Sequence, residues 1–357
     1  MALYERFEVI KKLPESRNVI SLYLAPADGQ ELKKFKPGQH LLFRLHIPGI
    51  DIPVFRYYSF SDTFNDKYYR VSVKKECVNT NGVEKNGLCS GYMFDVVKEG
   101  DVLEAKGPSG EFCISPGENA PLVLIAGGIG ITPLLCMLKS VAEENKNREA
   151  YLFYGVNERE EHSFFDELQA IKDVHPGSCV YIFYNRVKDD DEQGRHFDYE
   201  GFISVEKIVE LLPALHAQYY VCGPAGMMKY VTEGLERLGV ERDTIHTESF
   251  NLDADPSTVP SGPLVPEGEN ETSGITIEFN RSGKKLVWDD RYRSILEFAE
   301  AHDIEISSGC LFGDCGTCLT KLNSGEIKYL HETMAQPGVG KCLPCSCVPC
   351  SNIVLDA

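Results

Sequence analysis

The chain is poor in positive charge. It carries 36 Lys and Arg against 54 Asp and Glu, a formal net charge of −18, which argues against nucleic acid or an anionic membrane as its main partner. It has no apolar leader: Met1-Ala2-Leu3-Tyr4-Glu5-Arg6-Phe7-Glu8 is charged from residue 5, so no signal peptide is expected. It has no unbroken apolar run of membrane length. Pro121 to Leu138 lacks charge and is about as long as the shortest span, but Gly127, Gly128, Gly130 and Pro133 break its middle, and a strand, a turn and a helix start account for it better. Nor are the thirteen cysteines spaced as a disulfide framework. A reducing compartment, the cytoplasm, is expected, with thiols kept for metal or redox work, and the protein is expected to be a monomer.

At 357 residues, with 43% apolar and 25% charged content, the chain is too long for one core, and two or three folded domains are expected. Residues 1–115 read as β-rich. Phe7-Glu8-Val9-Ile10, Val19 to Leu24, His40 to Leu45 and Tyr69 to Val73 are short runs of β-branched and aromatic residues bounded by Gly, Pro or Asp, which suggests a small antiparallel Greek-key β-barrel. From 116 to 250 strand and helix alternate, as in an α/β domain with a parallel sheet. Leu122-Val123-Leu124-Ile125-Ala126 is apolar throughout, as a strand covered on both faces should be. It runs into Gly127-Gly128-Ile129-Gly130-Ile131-Thr132-Pro133 and then a helical segment, the setting in which a Gly-rich turn holds phosphate. Further strands are expected at 149–155, 179–185 and 218–221. Residues 251–273 hold Pro256, Pro260, Pro263 and Pro266 with five acids and no base. They read as an extended, self-repelling linker, either one that lets the last domain swing or one with no such role.

The last segment, 274–357, is expected to be an α+β domain: a hairpin at 275–279 and 284–288, then a helix from Ser294 to His302. It carries Cys310, Cys315 and Cys318 at C-x4-C-x2-C, the plant-type spacing for a [2Fe–2S] cluster. Two irons need two thiolates each. A short loop supplies three, and Gly309, Gly313 and Gly316 let it turn tightly. The fourth must come from another segment, where Cys342, Cys345, Cys347 and Cys350 all stand as candidates.

Arg56-Tyr57-Tyr58-Ser59 alone would pass for an ordinary strand. Followed by Val73-Lys74-Lys75-Glu76 and by Gly87-Leu88-Cys89-Ser90 opening a helical run to Val97, it resembles the ferredoxin–NADP reductase superfamily of flavoproteins, the flavohaemoglobin reductase module in particular. The resemblance implies that Tyr58 packs on the isoalloxazine, Ser59 points to its N5 and Arg56 pairs with phosphate, with Tyr57, Val73, Lys74, Lys75, Gly87, Leu88, Cys89 and Ser90 around the flavin. It implies a nucleotide-phosphate turn at Gly128, Gly130 and Thr132, and a place for Cys222, with Gly223 and Pro224 in C-G-P-x-x-M, beside the nicotinamide. A small buried apolar residue is the alternative for Cys222. Phe250, in E-x-F, would cover the flavin ring. Arg186 stands where family members that use NADPH bind the 2′-phosphate, but Asp189, Asp190 and Asp191 would repel it. NADH is expected ahead of NADPH.

The C-terminal segment resembles plant-type ferredoxin, a β-grasp fold, and that family's L-x-C-x-x-x-P pattern selects Cys345, in register with Leu343 and Pro349. The order flavin, nucleotide, ferredoxin resembles reductase components of the phthalate dioxygenase and phenylacetyl-CoA epoxidase types and the hybrid-cluster protein reductases. It implies an NAD(P)H-dependent reductase that uses FAD rather than FMN and passes electrons through the cluster to a metalloprotein, an oxygenase or a hybrid-cluster protein. Two other readings stand beside it. One is a redox-sensing or electron-storing module with little turnover. The other is the electron-transfer subunit of a flavin dehydrogenase complex, against which the long gap from Cys318 to Cys345 counts.

Overall fold

The computed structural model describes residues 4–80, 83–114, 119–144, 148–250, 274–308, 313, 316–331, 333 and 335–357. The expected linker, Cys310 and Cys315 lie outside the described residues. The chain divides into two compact units: residues 4–43 with 57–250, and residues 44–56 with the described residues from 274 onward.

Strands β1 (Glu5–Ser16), β2 (Val19–Pro26), β3 (His40–Leu45), β4 (Val54–Ser59), β5 (Tyr69–Lys74) and β8 (Val102–Ser109) form a six-stranded sheet in the order β4-β3-β8-β1-β2-β5. The pairs β1–β2, β1–β8 and β2–β5 are antiparallel. An isolated bridge from Phe60, just past β4, to Val71 of β5 links the two ends of that order and curls the sheet on itself. The hairpin β6 (Cys77–Thr80) and β7 (Val83–Asn86) and the short helix α1 (Leu88–Gly91) lie between β5 and β8. Alternation places Phe7, Val9, Leu22, Leu24, Val71 and Val73 inside, each such burial contributing roughly 1.5–3 kcal/mol. Strand β8 has no clear sequence signal, because Val-Leu-Glu-Ala-Lys-Gly-Pro-Ser buries only Leu103 and Ala105.

The second sheet is parallel, in the order β12-β11-β10-β9-β13-β14. Its strands are β9 (Leu122–Gly127), β10 (Ala150–Val156), β11 (Ser178–Tyr184), β12 (Tyr199–Glu200), β13 (Gln218–Cys222) and β14 (Ile245–Glu248). Helices α2 (Ile131–Glu144) and α3 (Phe165–Val174) share a core with Leu122, Leu124 and Ala126 of β9. Helices α4 (Val205–Leu211) and α5 (Ala225–Arg237) share another with Val123 and Ile125. This two-sided cover is why β9 reads as an unbroken apolar run. The chain winds outward from β9 through β12, then returns to β13 on the other side of β9. That reversal opens a crevice at the carboxyl ends of β9 and β13.

The C-terminal domain has a five-stranded sheet in the order β16-β15-β21-β17-β19, made of β15 (Thr276–Phe279), β16 (Lys284–Val287), β17 (Thr320–Ser324), β19 (Lys341–Cys342) and β21 (Ile353–Leu355). Strands β18 (Ile327–Tyr329) and β20 (Cys347–Pro349) pair separately. Helix α6 (Ile295–Ala301) buries Ile295, Leu296 and Phe298 against the core. Its expected ends, Ser294 and His302, are its caps: Ser294 Oγ accepts a hydrogen bond from the Glu297 backbone N–H at 3.2 Å. In the same unit Arg44 donates to the carbonyl oxygen of Glu300 at 2.9 Å, and Ile52 packs on the edge of this core.

Candidate functional site

At the crevice the turn after β9 meets the end of β13. A Cβ on Gly130 would lie 2.2 Å from the carbonyl oxygen of Cys222, so only glycine lets the two segments approach. Thr132 is buried and donates to the Ile129 carbonyl at 3.1 Å, holding the turn onto α2. Beside it is a cavity of about 530 Å³ whose lining includes Lys74, Gly128, Asn157, Glu161, Asn185 and Tyr230. Phe202, 81% exposed, also lines it. Asn157 and Asn185 follow β10 and β11, where a parallel sheet presents its ligand-binding residues. Asn185 Nδ2 donates to Asn157 Oδ1 at 3.1 Å, and Asn157 Nδ2 donates to Glu161 Oε2 at 3.0 Å. Arg186 is exposed, and its backbone N–H donates to the Asn157 carbonyl.

Strand β4 carries Arg56, Tyr57, Tyr58 and Ser59. Ser59 is buried, and its hydroxyl donates to Glu248 Oε2 at 3.4 Å. The other oxygen of Glu248 lies 3.7 Å from Nδ1 of buried His40, whose ring packs on Tyr57 with centroids 4.3 Å apart. Tyr58 sets its ring edge-on to Phe43. The Arg56 guanidinium donates to the Phe55 carbonyl at 2.7 Å. Glu248 is in register with Cys222 across β14 and β13. Burial, and then the Glu248 carboxylate, hold the Cys222 thiol well above the ordinary thiol range, so it is neutral. Ser59, Glu248 and Cys222 therefore meet, although 189 positions separate Ser59 from its partner. The sequence offers Glu248 only as part of the motif that ends in Phe250, and nothing in it singles out His40.

The remaining expected flavin contacts cluster after β5. Val73 is buried. Lys74 pairs with Glu76 at 3.4 Å, and Lys75 pairs with Asp95 at 2.7 Å. The Ser90 hydroxyl accepts from the Glu76 backbone N–H, and Gly87 N–H donates to the Glu76 carbonyl. Leu88 is partly buried and Cys89 buried at the start of α1. Gly223 follows β13, Pro224 caps α5, and Phe250 packs on the core beneath β9.

In the C-terminal domain the sulfurs of Cys318 and Cys345 lie 3.1 Å apart, both buried. The neighbouring Cys318 thiol, then burial, push the Cys345 thiol far above its usual range. Gly313, at φ 79°, faces this pair; a Cβ there would lie 2.4 Å from Thr333 Cγ2. Two adjacent buried thiols, one of them hydrogen-bonded by the Gly313 backbone, fit two of the four thiolates that a [2Fe–2S] cluster needs. Cys342 and Cys347 are buried in the domain core and Cys350 is exposed.

Known proteins match in the same three blocks. Residues 6–114 match the oxidoreductase FAD-binding domain, 124–233 the oxidoreductase NAD-binding domain and 277–350 the 2Fe-2S iron-sulfur cluster binding domain. A flavohemoprotein of Bacillus cereus is 35% identical over 248 residues, 69% of this chain, and the chain spans 61% of that relative's length. The FAD/NAD-binding domain of a nitric oxide dioxygenase from Vibrio cholerae O1 biovar El Tor is 32% identical with a TM-score of 0.61, covering 69% of this chain and 98% of its own. Phthalate dioxygenase reductase, described as transferring electrons from pyridine nucleotides to [2Fe-2S], aligns over 99% of this chain and 98% of its own at 26% identity, TM-score 0.65.

A barrel matched by a FAD-binding domain, a parallel sheet matched by an NAD-binding domain and a 2Fe-2S domain on one chain define a multidomain flavin-, nucleotide- and iron–sulfur-binding protein. The chain belongs to the ferredoxin–NADP reductase superfamily of flavoproteins, with a C-terminal plant-type [2Fe–2S] ferredoxin domain. Among the described residues no helix is long and apolar enough to cross a membrane.

Proposed function

We propose that this chain is the reductase component of an oxygenase system, drawing electron pairs from NADH and delivering them singly to a partner metalloprotein. The meeting of Ser59, Glu248 and Cys222 at the crevice carries this reading, and the end-to-end likeness to phthalate dioxygenase reductase supports it. Bound FAD accepts hydride and releases electrons one at a time, which lets a two-electron donor feed a one-electron cluster. The chain's own work is placement. Tyr58 offers a flat surface to the flavin ring and Arg56 a fork for its phosphate. The Ser59 hydroxyl, held by Glu248, is set to hydrogen-bond the flavin N5. Neutral Cys222 gives the nicotinamide a small apolar wall that does not compete for its charge. Cys310, Cys315, Cys318 and Cys345 hold the cluster.

The cavity supports NADH over NADPH. The positions that would flank the adenosine ribose are Asn157, Asn185 and Glu161, whose carboxylate opposes a second phosphate. Two of the nearby cations are engaged, Arg159 with Asp190 and Asp191 and Lys188 with Glu158 and Glu160, while Arg186 is exposed. Anaerobically purified full-length protein is expected to release FAD on extraction and to reduce ferricyanide and cytochrome c with NADH, favoured over NADPH by at least about tenfold in kcat/KM. Flavin-replete protein that reduces neither acceptor with either nucleotide would overturn the reading and favour a redox-sensing module.

A further inference from the structure

Between the barrel and the parallel sheet, inside one compact unit, lies a group of four charges, Asp62 and Arg70 buried and Lys139 and Glu167 half-buried, that no step above uses. Arg70 of β5 has a side chain only 2% exposed. Its guanidinium forks onto both carboxylate oxygens of Glu167 on α3, the longer contact being 3.1 Å. Lys139 of α2 pairs with Glu167 at 2.9 Å and also with Asp62, three residues past Ser59. Cys136, one turn earlier on α2, donates its thiol to the Asp62 carbonyl at 3.0 Å. Arg70 also bonds the Ser61 hydroxyl at 3.2 Å and lies over the Phe164 ring. Two cations face two anions, with the Glu15 carboxyl, raised by burial, close enough to feel Arg70, Glu167 and Lys139. Asp62 and Glu167 are held below the usual carboxylate range by Arg70 and Lys139 despite their burial.

Burying ions is a poor way to gain stability, since the desolvation cost cancels most of the attraction. An apolar contact would hold two domains as well, but it is non-directional and lets them slide. A guanidinium fork on a carboxylate admits essentially one geometry. The connections at either end are short and stiff. Ser59 to Asp62 is three residues, about 10 Å of extended chain. Lys139 to Gly130 is nine residues along a helix that starts at the phosphate turn, about 13 Å. The quartet thus closes a strut between the strand that faces the flavin and the turn that faces the nucleotide. Hydride transfer needs its two atoms within about 3–3.5 Å, and an error near 1 Å costs about a hundredfold.

We infer that Asp62, Arg70, Lys139 and Glu167 are positioning residues which fix the angle of the nucleotide domain on the barrel, and with it the approach of nicotinamide to flavin. The inference rests on the reductase reading above. The turn between β1 and β2 adds a second, more exposed tie: the Arg17 backbone N–H donates to the Glu160 carbonyl at 2.9 Å, and its guanidinium pairs with Glu158 at 2.9 Å and with Glu161 at 3.0 Å. Two ties at separate points prevent rotation about either one.

The test compares the full-length holoprotein with two variants, Arg70→Met/Glu167→Met and Lys139→Met. Replacing both members of the Arg70–Glu167 fork is expected to leave thermal stability near wild type, whereas Lys139→Met, which takes the lysine from Asp62 and Glu167, is expected to lower it. In both, the Kd for NADH should stay within about threefold while the limiting rate of anaerobic flavin bleaching by NADH falls about ten- to a hundredfold. The primary isotope effect with 4-deuterated NADH should grow as hydride transfer comes to limit the rate. Hydrogen–deuterium exchange, read with and without flavin, should quicken in segments 61–70 and 165–172 but not in β9 and β10. A folded variant pair that bleaches within about twofold of wild type, below the loss that misplacement demands, overturns the inference. So does a loss explained wholly by weaker NADH binding. If the double variant does not fold, Lys139→Met, whose side chain reaches solvent, decides alone. Wild-type protein that NADH does not bleach would instead refute the reductase reading.

Discussion

His162 is packed among the rings of Tyr154, Phe165 and Tyr184, and its Nδ1 pairs with the Tyr184 hydroxyl at 2.8 Å. Burial, seconded by Lys172 and His196, pushes its pKa down to about 3 from 6.5. Below pH 6.5 the unfolded chain therefore takes up a proton at this residue that the folded chain refuses. Folding stability at this site is complete above pH 6.5 and falls as the pH drops toward 3, by about 1.4 kcal/mol per unit. The depressed carboxylates Asp62 and Glu167 act lower, losing their contribution as the pH falls below their ordinary values of 3.8 and 4.5. Glu15, raised by burial, works in the opposite direction. Denaturant unfolding between pH 4.5 and 7 should thus show a shallower pH slope for His162→Gln than for wild type, since the comparison cancels every other group. Equal slopes would mean that the imidazole is charged in the folded protein.

Among the elements, the turn from β9 into α2 is the most constrained. Gly130→Ala would place a methyl 2.2 Å from the Cys222 carbonyl oxygen, with the carbonyl carbon at 2.5 Å. Neither neighbour is the end of a flexible side chain, so β13 and the turn must separate. The Kd for NADH should rise at least about tenfold, as a displaced phosphate cradle loses its backbone donors, while flavin and cluster absorbance stay. Gly128→Ala meets open space and suffers only the left-handed φ of 54°, a cost of about 1–2 kcal/mol. It should bind NADH better than Gly130→Ala does; the reverse order in a titration would show that conformation rather than approach governs the turn. This turn was legible in the sequence because a strand buried on both faces has one composition. Helix α6 was legible because its caps are local chemistry. Strand β8 was not: only Leu103 and Ala105 of its residues are buried and it contains both Gly and Pro. Glu248 and His40 were not, because their significance comes from Ser59 and Tyr57, which are near only in three dimensions.

Across the whole molecule the order of cofactors could be read directly, since each domain type keeps a local motif: R-Y-Y-S, the glycine turn, C-x4-C-x2-C. What holds domain to domain could not, since Asp62, Arg70, Lys139 and Glu167 are ordinary surface-type residues until the fold brings them together. The modular order implies that removing the last carrier should leave the earlier ones working. Cys345→Ser in the full-length chain takes away a sulfur that lies against Cys318 and leaves the barrel and the parallel sheet untouched. Ferricyanide is small enough to reach a flavin edge, whereas cytochrome c is a protein and must be met at a surface. NADH-driven ferricyanide reduction should therefore stay near the wild-type rate. Cytochrome c reduction should fall at least about tenfold, together with the paramagnetic signal of the reduced cluster. If both acceptors slow alike while the flavin still bleaches with NADH, electrons leave by the cluster whatever the acceptor. If cytochrome c reduction persists without that signal, the C-terminal domain is not the exit.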